Sequence, residues 1–448
     1  MEKPDLLITN GTVLTMDRDR TVIPNGAVVV TGDKVTRTGP AAELDGPGAG
    51  RVLDARGGLI LPGLVNTHTH AAMTCFRGLA DDLPLMEWLN RHIFPAEEKL
   101  TGDIVYEGTL LACAEMISSG VTCFCDMYLF EDHTARAVAD AGMRAVVGEA
   151  FFNFPSPNYG ALEQGYAHVE GLMEKWRDHP LVNIGVAAHS AYLCAPPVLH
   201  RAREIARRWD AVFMIHVSET ESEVDEIRKK YGRTPVAHLA SEGILGPRLL
   251  AAHCVALKDG DVEHLARTDT KVAHNPESNM KLSSGVAPLR ELLDAGVCVA
   301  LGTDGAASNN NLDMLGEMDT CAKLHKAATG DPTTADAATV LAMATRNGAR
   351  ALSMEDSIGS LEPGRQADII VIDTNRPHLT PPRDPVSALV YAARGGDVLH
   401  SVINGRVVLE NGRLATIDLA RSIARVREIR KVISKGQRGN GGIRPRGA

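Results

Sequence analysis

Side chains capable of ligand or acid–base chemistry recur where apolar segments of this chain end: His68 and His70, then His189, His216, His253 and finally Asp304. A lone histidine in such a place is ordinarily a hydrogen-bonded core residue, and the sequence holds 16 of them. The arrangement carries more weight than the count. His68-Thr69-His70 sets two imidazoles two residues apart, so both point to one side of an extended segment and two nitrogens can reach one ion. A third nitrogen from His216 and a carboxylate from Asp304 complete an N₃O donor set. That set suits Zn²⁺ and tolerates Fe²⁺, one ion per subunit, with a position left for water. Water held there is acidified toward a pKa of about 7 and becomes a hydroxide nucleophile at neutral pH. A metal-dependent hydrolase is the expectation. The alternative from another class is a barrel that uses the ion only structurally, as a scaffold or binding module.

Such a set needs a frame that delivers several strand ends to one place. From Leu61 to Leu361 short apolar strands alternate with longer amphipathic stretches. GVTCFCDM, MRAVVGEA, VNIGVAAHS, AVFMIHVSE, LLAAHCVAL, TKVAHNPES and CVALGTDGA each run into a polar end, while PPVLHRAREIARRW and APLRELLDAG carry helical spacing. The alternation predicts an α/β fold, a (β/α)₈ TIM-like barrel over residues 61–361 with catalytic groups at the C-terminal ends of its strands. A doubly wound sheet is the alternative, and the Gly-rich first turn of that fold is missing.

Residues 1–60 and 362–415 read differently. DLLITNGTVLT, AVVVTGDKVTRTG and RVLDARGGLIL at one end match ADIIVIDT and LHSVINGRVVLENGRL at the other in β-branched content and turn chemistry. They predict one small β-sandwich built from both chain ends, with a hairpin at Asn404-Gly405. Residues 416–448 read as a charged helix from Asp418 to Lys435 followed by a mobile Gly- and Arg-rich end.

The composition narrows the function classes. Across 448 residues the formal charge is −9, which argues against nucleic acid as a partner, since phosphates would be repelled. No run approaches the ~18 apolar residues of a membrane span, and MEKPDLLITN has no secretory apolar core. The 8 cysteines lack the spacing of a disulfide scaffold, and Cys123 and Cys125 read as buried thiols on one strand. The expected setting is cytoplasmic, with a small-molecule substrate and no membrane.

The string LPGLVNTHTH, followed in order by IHVSET, AHC and LGTDG, resembles the amidohydrolase superfamily, and the likeness runs over nearly the whole chain. No lysine stands where binuclear members carry a bridging one; the region taken as the fourth strand reads Cys123-Phe124-Cys125-Asp126. The resemblance is therefore to the mononuclear branch, which removes amino or chloro groups from nitrogen heterocycles. It implies that Asp304 binds the ion and accepts the water's proton. Glu219, protonated, donates to a ring nitrogen, and His253 steers the attacking water. Glu219 as a solvated helix-start carboxylate and His253 as a core histidine are the plainer readings.

Within that branch LMEWLNRHIFPAEEKL, AAHSAYLC, HVSETESEV and HNPESNMKLSSG resemble the 5-methylthioadenosine/S-adenosylhomocysteine deaminase family. The resemblance implies that Glu97 binds ribose hydroxyls, which suits a carboxylate because it can accept from both. It also implies that His189 touches the purine, that Glu219 meets the ring nitrogen beside the amino-bearing carbon, and that the protein is a homo-oligomer. Trp88 either walls the purine or packs in the core, and Asn275, Ser278 and Asn279 either line the pocket or form a turn. Glu97 and His189 also have plainer readings, as a surface helix residue and a structural histidine. One departure stands out. Gly148 is followed by Glu149 where an arginine is expected to face the homocysteine carboxylate, so that carboxylate would be repelled. The activity implied is deamination of 5-methylthioadenosine, S-adenosylhomocysteine or adenosine. Its rivals are deaminases of guanine, pterin or cytosine type and triazine chlorohydrolases.

Overall fold

Continuous apolar runs, not alternating ones, mark strands buried on both faces, and eight of them form the centre of the molecule. The computed structural model describes residues 4–44, 48–381 and 383–434. The eight parallel strands are Leu64–Thr69, Val121–Tyr128, Arg144–Phe151, Val186–Ser190, Phe213–Val217, Leu249–His253, Lys271–His274 and Val299–Leu301, each hydrogen-bonded to the next in chain order. In seven of them every residue is buried; in the fourth only His189 is partly open. Helices such as Gly102–Ser118, Glu131–Ala141 and Pro196–Arg208 cover the outside. Their starts are set locally, by the Thr101 hydroxyl accepting from Ile104 N and by proline in the first turn of Pro196–Arg208.

The circle closes between the eighth strand and the first through side chains more than through a ladder. Asn66 donates to Thr303 Oγ1 (2.7 Å) and accepts from Thr303 N (3.0 Å), while Thr67 Oγ1 donates to Leu301 O (2.8 Å). Asp304 N donates to His68 O at 2.9 Å, so the barrel seam and the strand-end histidine share one backbone contact.

The second sheet has nine strands, drawn from both chain ends. Leu59–Pro62 pairs parallel with Leu6–Leu14 on one side and antiparallel with Ile369–Ile372 on the other. Because Arg51–Asp54 and Leu59–Pro62 use successive parts of the same edge of Leu6–Leu14, the sheet folds round one core that includes Ile8, Val30, Leu53, Ile60, Val371 and Val402. Residue 61, expected to open the barrel, thus lies inside a strand of this sheet. Asn404 (φ 52°) and Gly405 (φ 78°) turn the hairpin between Val398–Ile403 and Arg406–Glu410. Those are the positive angles of a two-residue primed turn.

Two features tie the layers together. Arg144, buried at the start of the third barrel strand, reaches Asp368 with two nitrogens (2.8 and 3.1 Å) and Asn404 Oδ1 (3.1 Å). The helix Leu419–Ile433 lies against Gly102–Ser118, where Arg421 pairs with Glu107 at 2.7 Å. The Gly- and Arg-rich end expected to be mobile lies outside the described residues. No helix among the described residues is long and apolar enough to cross a membrane.

Candidate active site

Strand ends deliver the polar residues to the C-terminal mouth of the barrel. His68 and His70 flank Thr69, whose hydroxyl turns the other way and donates to Cys125 O (3.0 Å) and Asp126 Oδ1 (2.6 Å). Asp126 Oδ1 also accepts from Ala71 N at 2.6 Å. That clamp holds the His-Thr-His segment extended, and both imidazoles project inward. The ring centroids of His70, His216 and His253 lie 5.0, 4.9 and 5.5 Å from that of His68.

Each ring is fixed from behind. His70 Nδ1 bonds Met127 O (2.5 Å) and His216 Nδ1 bonds His189 O (2.8 Å), so both carry a proton on Nδ1 and aim Nε2 at the centre. His253 Nδ1 bonds Asn279 Oδ1 at 2.9 Å. Asp304 accepts from Ser278 Oγ (2.6 Å), Ser308 Oγ (2.8 Å) and Gly305 N (2.8 Å), and its Oδ1 stands 3.5 Å from His68 Nε2 and 3.3 Å from His70 Nε2. His253 (φ 74°) and Asp304 (φ 61°) sit in the left-handed region, where a residue with a side chain costs about 1–2 kcal/mol. The neighbouring glycines have a steric reason: a Cβ on Gly302 would lie 2.8 Å from His68 N, and one on Gly305 3.1 Å from His70 Cβ.

The donors fit a divalent cation. Ligand atoms of His68, His70 and His216 lie within 4.8 Å of one another, as do those of His68, His253 and Asp304. His68 Nε2 is buried without a hydrogen-bond partner. Burial pushes His68 down to about 4 and His216 well below the usual imidazole range, so both present lone pairs at neutral pH. Burial would lift the Asp304 carboxyl, but the two histidines beside it override burial and hold it far below the usual range. Burial likewise works against a charge on His70, and Asp304 reverses that and raises it to about 9. The cluster therefore demands positive charge at its centre, which a cation on three nitrogens and one oxygen supplies.

A cavity opens over this cluster. His70, His189, His216, His253 and Asp304 form its floor, Glu97 and Glu219 add two carboxylates, and Trp88, Phe94, Leu129 and Phe152 supply apolar wall. Trp88 is buried and lines the cavity. His189 packs 4.8 Å from His216 and 5.3 Å from Phe152, and burial lowers it to about 3. Burial raises Glu219 above the usual carboxyl range; Oε1 accepts from Ser284 Oγ (3.4 Å) and Oε2 lies 3.8 Å from His253 Nε2. Burial likewise lifts Glu97, to about 7, against the opposing pull of Tyr128 and His70.

Three expectations change. Cys123–Asp126 belongs to the second barrel strand, because Val121–Tyr128 pairs directly with Leu64–Thr69; the fourth, Val186–Ser190, also contains no lysine. Glu149 does not face the cavity. Ala150 lines it, so its neighbour points outward, where Glu149 accepts from Phe130 N (3.1 Å) and Glu131 N (2.9 Å) at a helix start. Its charge is spent there and repels no ligand in the cavity. Asn279 and Ser278 stand behind the site and hold His253 and Asp304, while Asn275 lies 3.4 Å from His253 Nδ1. Glu223 was not anticipated. Its two oxygens accept from Ser218 N (3.0 Å) and Glu219 N (2.7 Å), pinning the turn (Ser218 φ 50°) that aims Glu219. Its position in the first turn of the helix Glu221–Tyr231 is the one sequence signal for it.

The model of the amidohydrolase family matches residues 59–408. A Syntrophobacter fumaroxidans protein named 5-methylthioadenosine/S-adenosylhomocysteine deaminase is 57% identical over 432 residues, 96% of this chain and 99% of that one. A Methanothermobacter thermautotrophicus protein named 5′-deoxyadenosine deaminase is 46% identical over 424 residues, covering 93% and 96%. A crystal structure of an adenosine deaminase from Xanthomonas campestris with bound zinc superposes with a TM-score of 0.95 at 38% identity, covering 97% and 99%.

The cluster makes a direct prediction about metal content. Elemental analysis should find about one divalent ion per chain, falling below about 0.2 in His68→Ala or His216→Ala with helix content unchanged. Full retention of metal in both variants would place the ion elsewhere.

Proposed function

The chain belongs to the amidohydrolase family, and on that premise we propose that it deaminates the adenine ring of adenosine-type nucleosides by hydrolysis, giving the inosyl product and ammonia. The observation that carries this reading is a pair of carboxylates at one cavity floor whose surroundings push them apart. Asp304, among imidazoles, is held ionised, while burial holds Glu219 toward its acid form. Such a pair divides naturally into base and acid.

His68, His70, His216 and Asp304 would hold a divalent ion, zinc in our assignment, which would supply the Lewis acidity that brings a water's pKa toward about 7. Glu219 gives its proton to the ring nitrogen next to the amino-bearing carbon while the water oxygen adds to that carbon. Asp304 takes a proton from the oxygen and passes it to the amino group, which leaves as ammonia. Of the water's two hydrogens, one ends on ammonia and the other replaces the proton that Glu219 left on the ring. His253, fixed through Nδ1, presents Nε2 to the attacking water, and His189 lies against the ring. Glu97 accepts from the ribose hydroxyls, which a free-base deaminase would not need. The eight cysteines are all free and buried, in keeping with a reducing, cytoplasmic setting.

The metal-loaded protein should convert 5-methylthioadenosine or 5′-deoxyadenosine with release of ammonia and the adenine-to-hypoxanthine absorbance change. Glu219→Gln should lower kcat by about 10³-fold at unchanged metal content; activity near wild type would remove Glu219 as the acid. Glu223→Ala, acting through the position of Glu219, should cost about 10-fold in kcat with KM nearly constant. An equal loss in KM would assign Glu223 to the fold of the cavity instead.

The raised Glu97 carboxyl gives a pH test. Only the ionised form accepts at both oxygens, and it is lost as pH falls through about 7, so KM for a nucleoside should rise about 10-fold between pH 8 and pH 6. In Glu97→Gln that slope should vanish and KM stay high. A KM indifferent to both changes would favour a substrate without ribose.

A further inference from the structure

Away from the cavity, the described residues hold one more group of metal-ligating side chains. Ligand atoms of His274, Cys321 and His325 lie within 4.8 Å of one another. His274 ends the seventh barrel strand, Lys271–His274, and the other two belong to the helix Met314–Thr329. Four residues apart, Cys321 and His325 share the buried face of that helix, so sulfur and imidazole stand one turn apart and point the same way. His325 Nε2 lies 2.8 Å from His274 Nε2, with the ring centroids 5.0 Å apart. All three residues are at most 2% exposed, and none of them lines the cavity. His274 Nδ1 is buried without a hydrogen-bond partner.

We propose that His274, Cys321 and His325 form a second metal site, separate from the cavity, for a thiophilic divalent cation such as zinc, cobalt or cadmium. A hydrogen bond shared by the two imidazoles is the plainer reading. It uses one nitrogen of each ring, gives the thiol no part and leaves His274 Nδ1 orphaned, a costly condition for a buried polar atom. An ion draws on both rings and the sulfur at once. Two nitrogens on one tetrahedral ion stand about 3.3 Å apart, so the rings need to part by only about half an ångström. Two imidazoles and a thiolate suit a borderline-soft ion and not magnesium or calcium, which take oxygen. Burial keeps both rings neutral, His325 at about 4 and His274 well below the usual range, so each has a lone pair to give. Burial also pushes the Cys321 thiol up, so its proton passes to solvent only as the sulfur takes the ion, and the site fills from excess metal after the one in the cavity. An ion here would fasten the end of the seventh strand to the outer helix. From that strand end the chain runs on to Ser278 and Asn279, which hold Asp304 and His253.

The donor set at the cavity contains no sulfur, so a thiolate-to-cobalt absorption band tells the two sites apart. Protein carrying about one zinc per chain is equilibrated with Co²⁺, and zinc plus cobalt is counted after free ion is removed. The total should rise from about one to about two per chain, with a near-ultraviolet thiolate-to-cobalt band growing in step. In Cys321→Ser the band should be gone and the second ion held at least about 10-fold more weakly, with the first zinc retained. His325→Asn should weaken the second ion by at least about 10-fold as well, and its retained zinc reports that the chain is folded. A wild-type total that stays near one overturns the proposal, and so does a second ion that brings no band. A band that survives Cys321→Ser also overturns it, because another of the buried cysteines would then be the ligand. Undiminished affinity in His325→Asn does the same, and that arm and the wild-type count decide the matter without Cys321→Ser.

Discussion

A carboxylate buried among imidazoles is the constraint on which the rest of this molecule turns. Asp304 is nearly out of contact with water, and an ion in that position is tolerable only if its charge is met at short range. Two serine hydroxyls and a backbone amide satisfy part of its hydrogen-bonding capacity, and the histidine edges face the remainder. Everything around it serves to hold that arrangement still. The Thr69–Asp126 clamp sets the phase of the first strand, glycines 302 and 305 let the last strand pass close, and Asn66 and Thr67 fasten one to the other.

The same reasoning explains why two carboxylates a short distance apart can do opposite work. Asp304 is surrounded by donors and by groups able to carry positive charge. Glu219 is buried with one long hydroxyl contact, from Ser284, and the His253 ring 3.8 Å away. Environment, and not residue type, separates acid from base. The turn that carries Glu219 is strained and held down by Glu223, so the acid is positioned by a residue that never reaches the cavity.

Much of this is legible in the sequence. Seven apolar runs ending in polar residues read directly as barrel strands because burial on both faces leaves no alternation to misinterpret. His68-Thr69-His70 reads as a ligand pair because a two-residue spacing has one geometric meaning on an extended chain. Phase is harder. Glu149 and Ala150 are adjacent, one faces out and one in, and a single residue of offset reverses the conclusion. Strand order is harder too: whether Cys123–Asp126 is the second or fourth strand depends on pairing, which no local string records. Asn279, Ser278 and Glu223 escape for a third reason. They act by hydrogen bonds to other side chains and backbone amides, and their residue types are those of ordinary turns and helix starts.

The interleaved end sheet bears on how the protein is made. Leu59–Pro62 leads straight into the strand carrying His68 and His70, yet its antiparallel partner Ile369–Ile372 is among the last strands to leave the ribosome. Arg144 and Asp368, the tie between the sheet and the barrel, are 224 residues apart in the chain. During synthesis the early strands wait with one edge open and apolar, the circumstance in which nascent chains misassociate. Folding is thus committed late. A chain interrupted before residue 369 carries every strand of its barrel but lacks the partner that closes the sheet beneath it.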